Sequence, residues 1–283
     1  MPKGFQPIAA PPNRQATTGL VALSSTPAGD TEGWEAGFGF APESCDRGQL
    51  LGVDCGPSET KLPVDKPDLV QYMPADLVVR DFCSTMDSGR DSTGLGQRLL
   101  LNQQSALLEE LLWTGTAAGD ATTDERPHLA DGRATVLGGG TALGVQIAVA
   151  LLDQALTSCL NGVPGMVHVT PYVLVLAKPH LEREGNRWLT PNGHTVVAGA
   201  GYTGGGPRPT VGDVLPAAPN LLAQPAVDQW AYGTGQVYYL LGEPAVLEDV
   251  DHLVNTRTVT AERPGAAFYG CCQFAVQVET APA

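Results

Sequence analysis

Residues 97–115, QRLLLNQQSALLEELLWTG, decide the fold. Leu99, Leu100, Ala106, Leu107, Leu108, Leu111 and Leu112, with Leu95 just upstream, recur at helical spacing and form a broad apolar stripe. Asp91, Ser92 and Thr93 each suit an N-cap, and Gly115 suits the C-cap. The spacing predicts a helix over residues 92–113, about 20 residues and so about 30 Å long. Apolar residues beyond one stripe predict that it packs on two sides.

Downstream, Val145, Ala148, Val149, Leu152, Ala155, Leu156 and Cys159 predict a second helix over 141–160, stopped by Asn161 and Gly162. Residues 165–169 read as a short strand. Pro171 after Thr170 starts a third helix, expected to run to about residue 184. Residues 195–198 read as another strand. Beyond residue 230 the pattern becomes extended, over 230–241, 245–250, 256–262 and 266–278. The sum is an α+β chain. Upstream, residues 69–85 read as extended and 41–68 as a turn-rich projecting loop. Residues 1–40, with Pro7, Pro11 and Pro12 among Gly, Ser and Thr, read as a loose tail or as an arm that orders on a neighbour.

Only 16% of residues are charged, against about a quarter in an ordinary soluble domain. With 34 Gly and 23 Pro, this suits a loop-rich fold whose surface is covered by something else, or a mesh of loops in a monomer. The net charge of −14 offers no basic block for phosphates, so tight nucleic-acid binding is not expected. An acidic wall can still contain DNA without sticking to it; ordinary solubility explains the charge equally well. No run of 18 apolar residues predicts a membrane span. The start, MPKGFQPIAAPPNRQ, lacks the apolar core of a signal peptide, so cytoplasmic synthesis is expected. The six cysteines, Cys45, Cys55, Cys83, Cys159, Cys271 and Cys272, are then expected mostly as free thiols, with a Cys45–Cys55 bridge the open alternative.

Few residues suggest chemistry. Residues 199–204, GAGYTG, match the dinucleotide fingerprint, but Gly205, Gly206, Pro207 and Pro209 follow, so no helix can open there. Gly138–Gly140 read as a hinge before the second helix. His128, His168, His180, His194 and His252 form no ligand pair, and no C-x-x-C or G-x-S-x-G occurs. Glu109–Glu110 and Glu248–Asp249 read as solvated or interface charges. No catalytic, cofactor or metal residue is assigned, and the chain is not expected to be an enzyme.

The order of parts carries a resemblance. An arm, a projecting loop, an extended segment, a long helix, a compact α+β unit and a closing β segment follow one another. Residues 107–115 (LLEELLWTG), 167–171 (VHVTP), 181–186 (LEREGN), 189–197 (LTPNGHTVV), 230–235 (WAYGTG) and 261–263 (AER) fit the same plan. The chain resembles the tailed-bacteriophage major capsid proteins of the Hong Kong 97-like fold, in particular those of actinobacteria-infecting phages. That resemblance implies an N-arm over 1–40 and an E-loop over 41–68. It implies a P-domain over 69–140 with spine helix 92–113, an A-domain over 141–229, and a β-rich return to the P-domain over 230–283.

It further implies a virion shell protein, assembled in the host cytoplasm. The implied partners are itself in hexamers and pentamers, a separate scaffolding protein, a portal and a decoration protein, around double-stranded DNA, with no membrane. Pro7, Pro11, Pro12, Trp34, Phe38, Phe40, Lys61, Lys66, Glu109, Glu110, Gly201 and Tyr202 are the expected subunit-interface residues. Lys61 and Lys66 lie near the projecting loop, but no acceptor is identifiable, so covalent crosslinking is not predicted. The alternatives are a minor head or vertex protein of the same fold, an encapsulin-type shell and, in a different class, a secreted hydrolase or binding module.

Overall fold

The computed structural model describes residues 17–27, 33–40, 70–84, 92–115, 127–207, 228–253 and 256–280. The long helix is α2, Ser92–Thr114, after a one-turn helix α1, Leu20–Leu23. Gly115 ends α2 at a φ of 68°, and its N–H closes the last turn on the Leu111 carbonyl. As expected, α2 packs on two sides. Leu100, Leu108 and Leu112 bury one side against Leu77, Val79 and Ala261, while Trp113 meets Tyr202 and Tyr232 on the other.

One side of α2 rests on a four-stranded sheet. Its centre is β12, Thr256–Tyr269, a strand read from the sequence as two. Along one edge β12 pairs antiparallel with β3, Ala75–Ser84. Along the other it pairs first with β11, Ala245–Asp251, then with β10, Val237–Leu241. Pro264 is tolerated because it sits where partnership passes from β11 to β10, so no ladder hydrogen bond is lost. A small sheet of β1, Phe38–Phe40, and β2, Val70–Tyr72, brings Phe38 and Phe40 onto Phe268, each edge-on at 4.9 Å.

The second body is a seven-stranded sheet in the order β4-β13-β9-β5-β8-β7-β6. Its strands are β4 (Thr135–Val136), β5 (Met166–Val169), β6 (Glu182–Glu184), β7 (Arg187–Leu189), β8 (Thr195–Ala198), β9 (Asp228–Thr234) and β13 (Gln273–Glu279). Helices α3, Val145–Cys159, and α4, Pro171–Ala177, pack together over it through Leu152, Leu156, Val173 and Leu174. The expected strand 230–241 is therefore two strands, β9 and β10, one in each sheet. That division lets the chain pass directly from one sheet to the other across Gly235 and Gln236.

Three further expectations are corrected. α3 starts at Val145 rather than 141, because Leu143 is drawn into pairing with β13, exchanging backbone bonds with Gln277 and Glu279. α4 stops at Ala177 rather than 184. Pro179 has no N–H to continue it, and residues 182–189 turn back as a hairpin instead. The loose arm expected over 1–40 is stitched to the body from Thr18 to Ser25. Leu20 is fully buried, Thr18 O accepts the Ala198 N–H, and Ser25 O accepts the Tyr239 N–H. A single buried leucine in a proline-rich stretch leaves no periodic signal.

Candidate functional site

A polar cluster lies where α2 meets the loop after β8. Glu109, only 1% exposed, accepts the Leu20 N–H at 2.8 Å, the Gly201 N–H at 3.0 Å and the Ser105 hydroxyl at 3.1 Å. Burial lifts its carboxyl above the usual range, against the pull of those donors. Glu109, expected with Glu110 as a solvated or interface charge, is buried within the chain. It ties three distant segments to one point. Gly199 and Gly201 make this approach possible. A Cβ on Gly201 would stand 1.9 Å from the Ala106 carbonyl, and one on Gly199 would press on the Glu109 carboxyl at 2.7 Å. The first two glycines of the fingerprint pattern serve helix contact, and no helix opens over 199–207.

Tyr202 continues the cluster. It is 5% exposed, tilts against Trp113 at 4.9 Å, and bonds through its hydroxyl to His168 Nδ1 at 2.9 Å. His168 Nε2 meets the Thr234 hydroxyl at 2.8 Å, and that hydroxyl donates to Gly235 O. The Thr234 proton is thus committed, so His168 donates from Nε2 and accepts the Tyr202 proton at Nδ1. The ring is neutral, and desolvation pushes its pKa down to about 3. Trp113 Nε1 and the Tyr232 hydroxyl both donate to Gly205 O, at 3.1 and 3.0 Å, and clamp the loop onto the helix end.

A second cluster joins α3 to the turn before β8. Asp153 accepts from Asn192, and His194 Nδ1 accepts the Gly165 N–H. His194 Nε2 meets Thr157 Oγ1 at 2.9 Å, whose proton goes to Asp153 O. These are the residue types of a nucleophilic triad, but the hydroxyl is committed to the backbone and the imidazole is buried. The cluster pins a turn. Burial lowers the His194 pKa, with Asp153 opposing. Among the described residues no group of three or more His, Cys, Asp or Glu is arranged to hold a metal.

The sequence reading of free thiols is corrected at Cys159, Cys271 and Cys272, all three disulfide-bonded. Cys159, at the end of α3, is disulfide-bonded to Cys272, whose φ of 69° sets it in a turn rather than a strand. The residues lie 113 positions apart, so no spacing rule flags them.

The expected interface residues are scattered. Pro7, Pro11, Pro12, Lys61 and Lys66, with Cys45 and Cys55, lie outside the described residues. Trp34, Phe38 and Phe40 belong to the aromatic cluster around Phe268. Glu109, Gly201 and Tyr202 come together, but inside the chain. Glu110 is exposed on α2. Sequence reasoning missed Leu20, Ser105, Trp113 and His168 as parts of this cluster. One signal was available: Glu109 stands four residues before Trp113 and four after Ser105, on a common helix face.

The sequence matches no family model and no curated protein. Solved structures are similar. The capsid of an empty GTA particle superposes with a TM-score of 0.55 at 12% identity, covering 98% of this chain and 96% of that one. The capsid of a native GTA particle gives 0.53 at 12% identity over the same shares. The capsid of Ralstonia phage GP4 gives 0.50 at 10% identity, covering 100% and 98%. The α+β fold of this chain is thus the Hong Kong 97-like capsid fold, carried over nearly its whole length.

Proposed function

We propose that this chain is the major subunit of an icosahedral head shell of the tailed-phage type, built from hexamers and pentamers and enclosing double-stranded DNA. The observation that carries this reading is the likeness to shell subunits across 98% of the chain. In these terms α2 is the spine helix of a P-domain spanning 69–140 and completed by 230–283. Residues 141–229 form the A-domain, 41–68 the E-loop and 1–40 the arm.

The net charge of −14 suits the role, because an acidic wall repels the phosphates it surrounds and lets packed DNA slide. The protein acts by positioning copies of itself rather than by turnover. Scaffolding, portal and decoration proteins are its expected company in a host cytoplasm, and the virion its destination. Negative-stain microscopy of a co-expressed head-gene set tests the copy number. Shells in which this chain is the dominant band support a major subunit. Shells of normal size lacking it, or carrying it only at vertices, favour a minor head protein.

A further inference from the structure

The outer face of the four-stranded sheet is open. α2 covers one face, with Val246, Val259 and Ala261 packed towards Gly96. On the other, Leu247, Asp249 and Asp251 stand at alternate positions of β11, opposite Thr260, Thr258 and Thr256 of β12. Arg80 of β3 extends the row beyond Thr260. Leu247 is 57% exposed, and Leu253, in the turn that follows, is 97% exposed. Leucines this bare beside carboxylates suit a contact surface better than a solvated strand. Neighbouring Glu248 stands on the other face and is matched to Arg257 at 2.6 Å, and on the open face Asp249 and Asp251 outnumber the one cation, Arg80.

The complementary feature is on the other sheet, in the exposed β6–β7 hairpin at its edge. Alternation sorts the hairpin's charges by face. Glu184 stands opposite Arg187 on one face, while Arg183 stands opposite Trp188 on the other. Lys178 joins that second face, its ammonium 5.6 Å from the Trp188 ring, with the Arg183 guanidinium 5.7 Å from the same ring. Arg183 Nε also donates to Gly185 O at 3.1 Å, so the guanidinium is held in place. The result is a cationic, aromatic face in a chain of net charge −14. Pre-positioned Arg and Trp side chains are the usual anchors of protein contacts.

We propose that the open face around Leu247, Asp249 and Asp251 receives the Lys178–Arg183–Trp188 face of a second copy. The two patches lie on different sheets, so the contact is head-to-tail and passes from copy to copy, as a closed ring requires. This inference rests on the shell reading. The carboxylates attract the two cations, which the half-buried Trp188 ring holds in place, and opposite signs reject a hairpin-to-hairpin contact.

Charge reversal tests it in the full chain, by sedimentation and electron microscopy. K178E/R183E and D249K/D251K each leave a folded subunit by circular dichroism and lower assembly at least tenfold. The quadruple variant, with the signs exchanged, regains it. Raised salt weakens wild type and quadruple alike. Doubles that assemble as well as wild type, or a quadruple no better than the doubles, would overturn the contact and leave the shell reading standing. Wild-type chains that remain monomeric even when co-expressed with the other head proteins would overturn both.

Discussion

Glu109 accepts the backbone N–H of Leu20 at 2.8 Å, across 89 residues of sequence. With Gly201 on its other oxygen, one carboxylate fastens the N-terminal segment and the loop after β8 to the spine helix. Replacing it with leucine keeps the volume but orphans both N–H groups. The expected loss is about 2–5 kcal/mol, read from denaturant unfolding. Glu109→Gln keeps one acceptor and is expected to lose less.

The same carboxyl has a pH signature. Burial raises its pKa, so its contribution is fully present below the ordinary carboxylate pKa and is lost as pH rises through the raised value. His168 runs the other way. Its pKa is lowered to about 3, so its contribution is present above 6.5 and is lost as pH falls towards 3. Below pH 6.5 that loss grows by about 1.4 kcal/mol per pH unit. His168 is expected to dominate, giving acid unfolding with an onset below pH 6.5. In His168→Gln, stability measured across pH 4–7 is expected to be lower at neutrality and flatter towards acid.

Gly201→Ala is expected to be among the worst small substitutions in the chain. The added carbon would lie 1.9 Å from Ala106 O and 2.8 Å from Glu110 N, both helical backbone that cannot step aside. A loss on the order of 3 kcal/mol is expected in thermal or urea unfolding. Gly185→Ala, with nothing within 4 Å, supplies the contrast and is expected to lose only what its φ of 59° requires.

Breaking the Cys159–Cys272 bond reopens a loop of 113 residues. Chain entropy gives about 4–5 kcal/mol for a loop of this length. Cys159→Ser is expected to melt well below the oxidised wild type, and close to the wild type in reductant. A melting temperature that ignores both would show that the bond does not form in solution.

Truncation separates arm from body. Removing residues 1–16 is expected to leave a folded chain, because the segment ends before Thr18. Removing residues 1–24 takes away Leu20, which is fully buried, and deprives Glu109 of one of its three donors. That chain is expected to lose its cooperative transition by calorimetry.

Much of the architecture was legible from local pattern. The helix Ser92–Thr114 was readable because its leucines keep one period and Gly115 closes it. α4 was half readable: Thr170 and Pro171 marked its start, but the reading passed over the stop at Pro179. β12 reads in the sequence as two strands that stop short of Pro264 and Gly265, and only the change of partner on one edge explains why the strand continues. The central cluster was not legible. An acid pair in a helix looks solvated, and only the fold shows that the N–H groups of Leu20 and Gly201 arrive beside Glu109. The G-x-G-x-x-G pattern at Gly199 carried real information, that backbone comes close to backbone, but the partner is a helix rather than a phosphate.

The shell reading is tested most directly by electron microscopy of the purified full-length protein across a range of concentration and salt. The expected result is closed particles, or hexameric and pentameric rings that convert to them. A stable monomer under all conditions, and above all one that turns over a substrate, would contradict it.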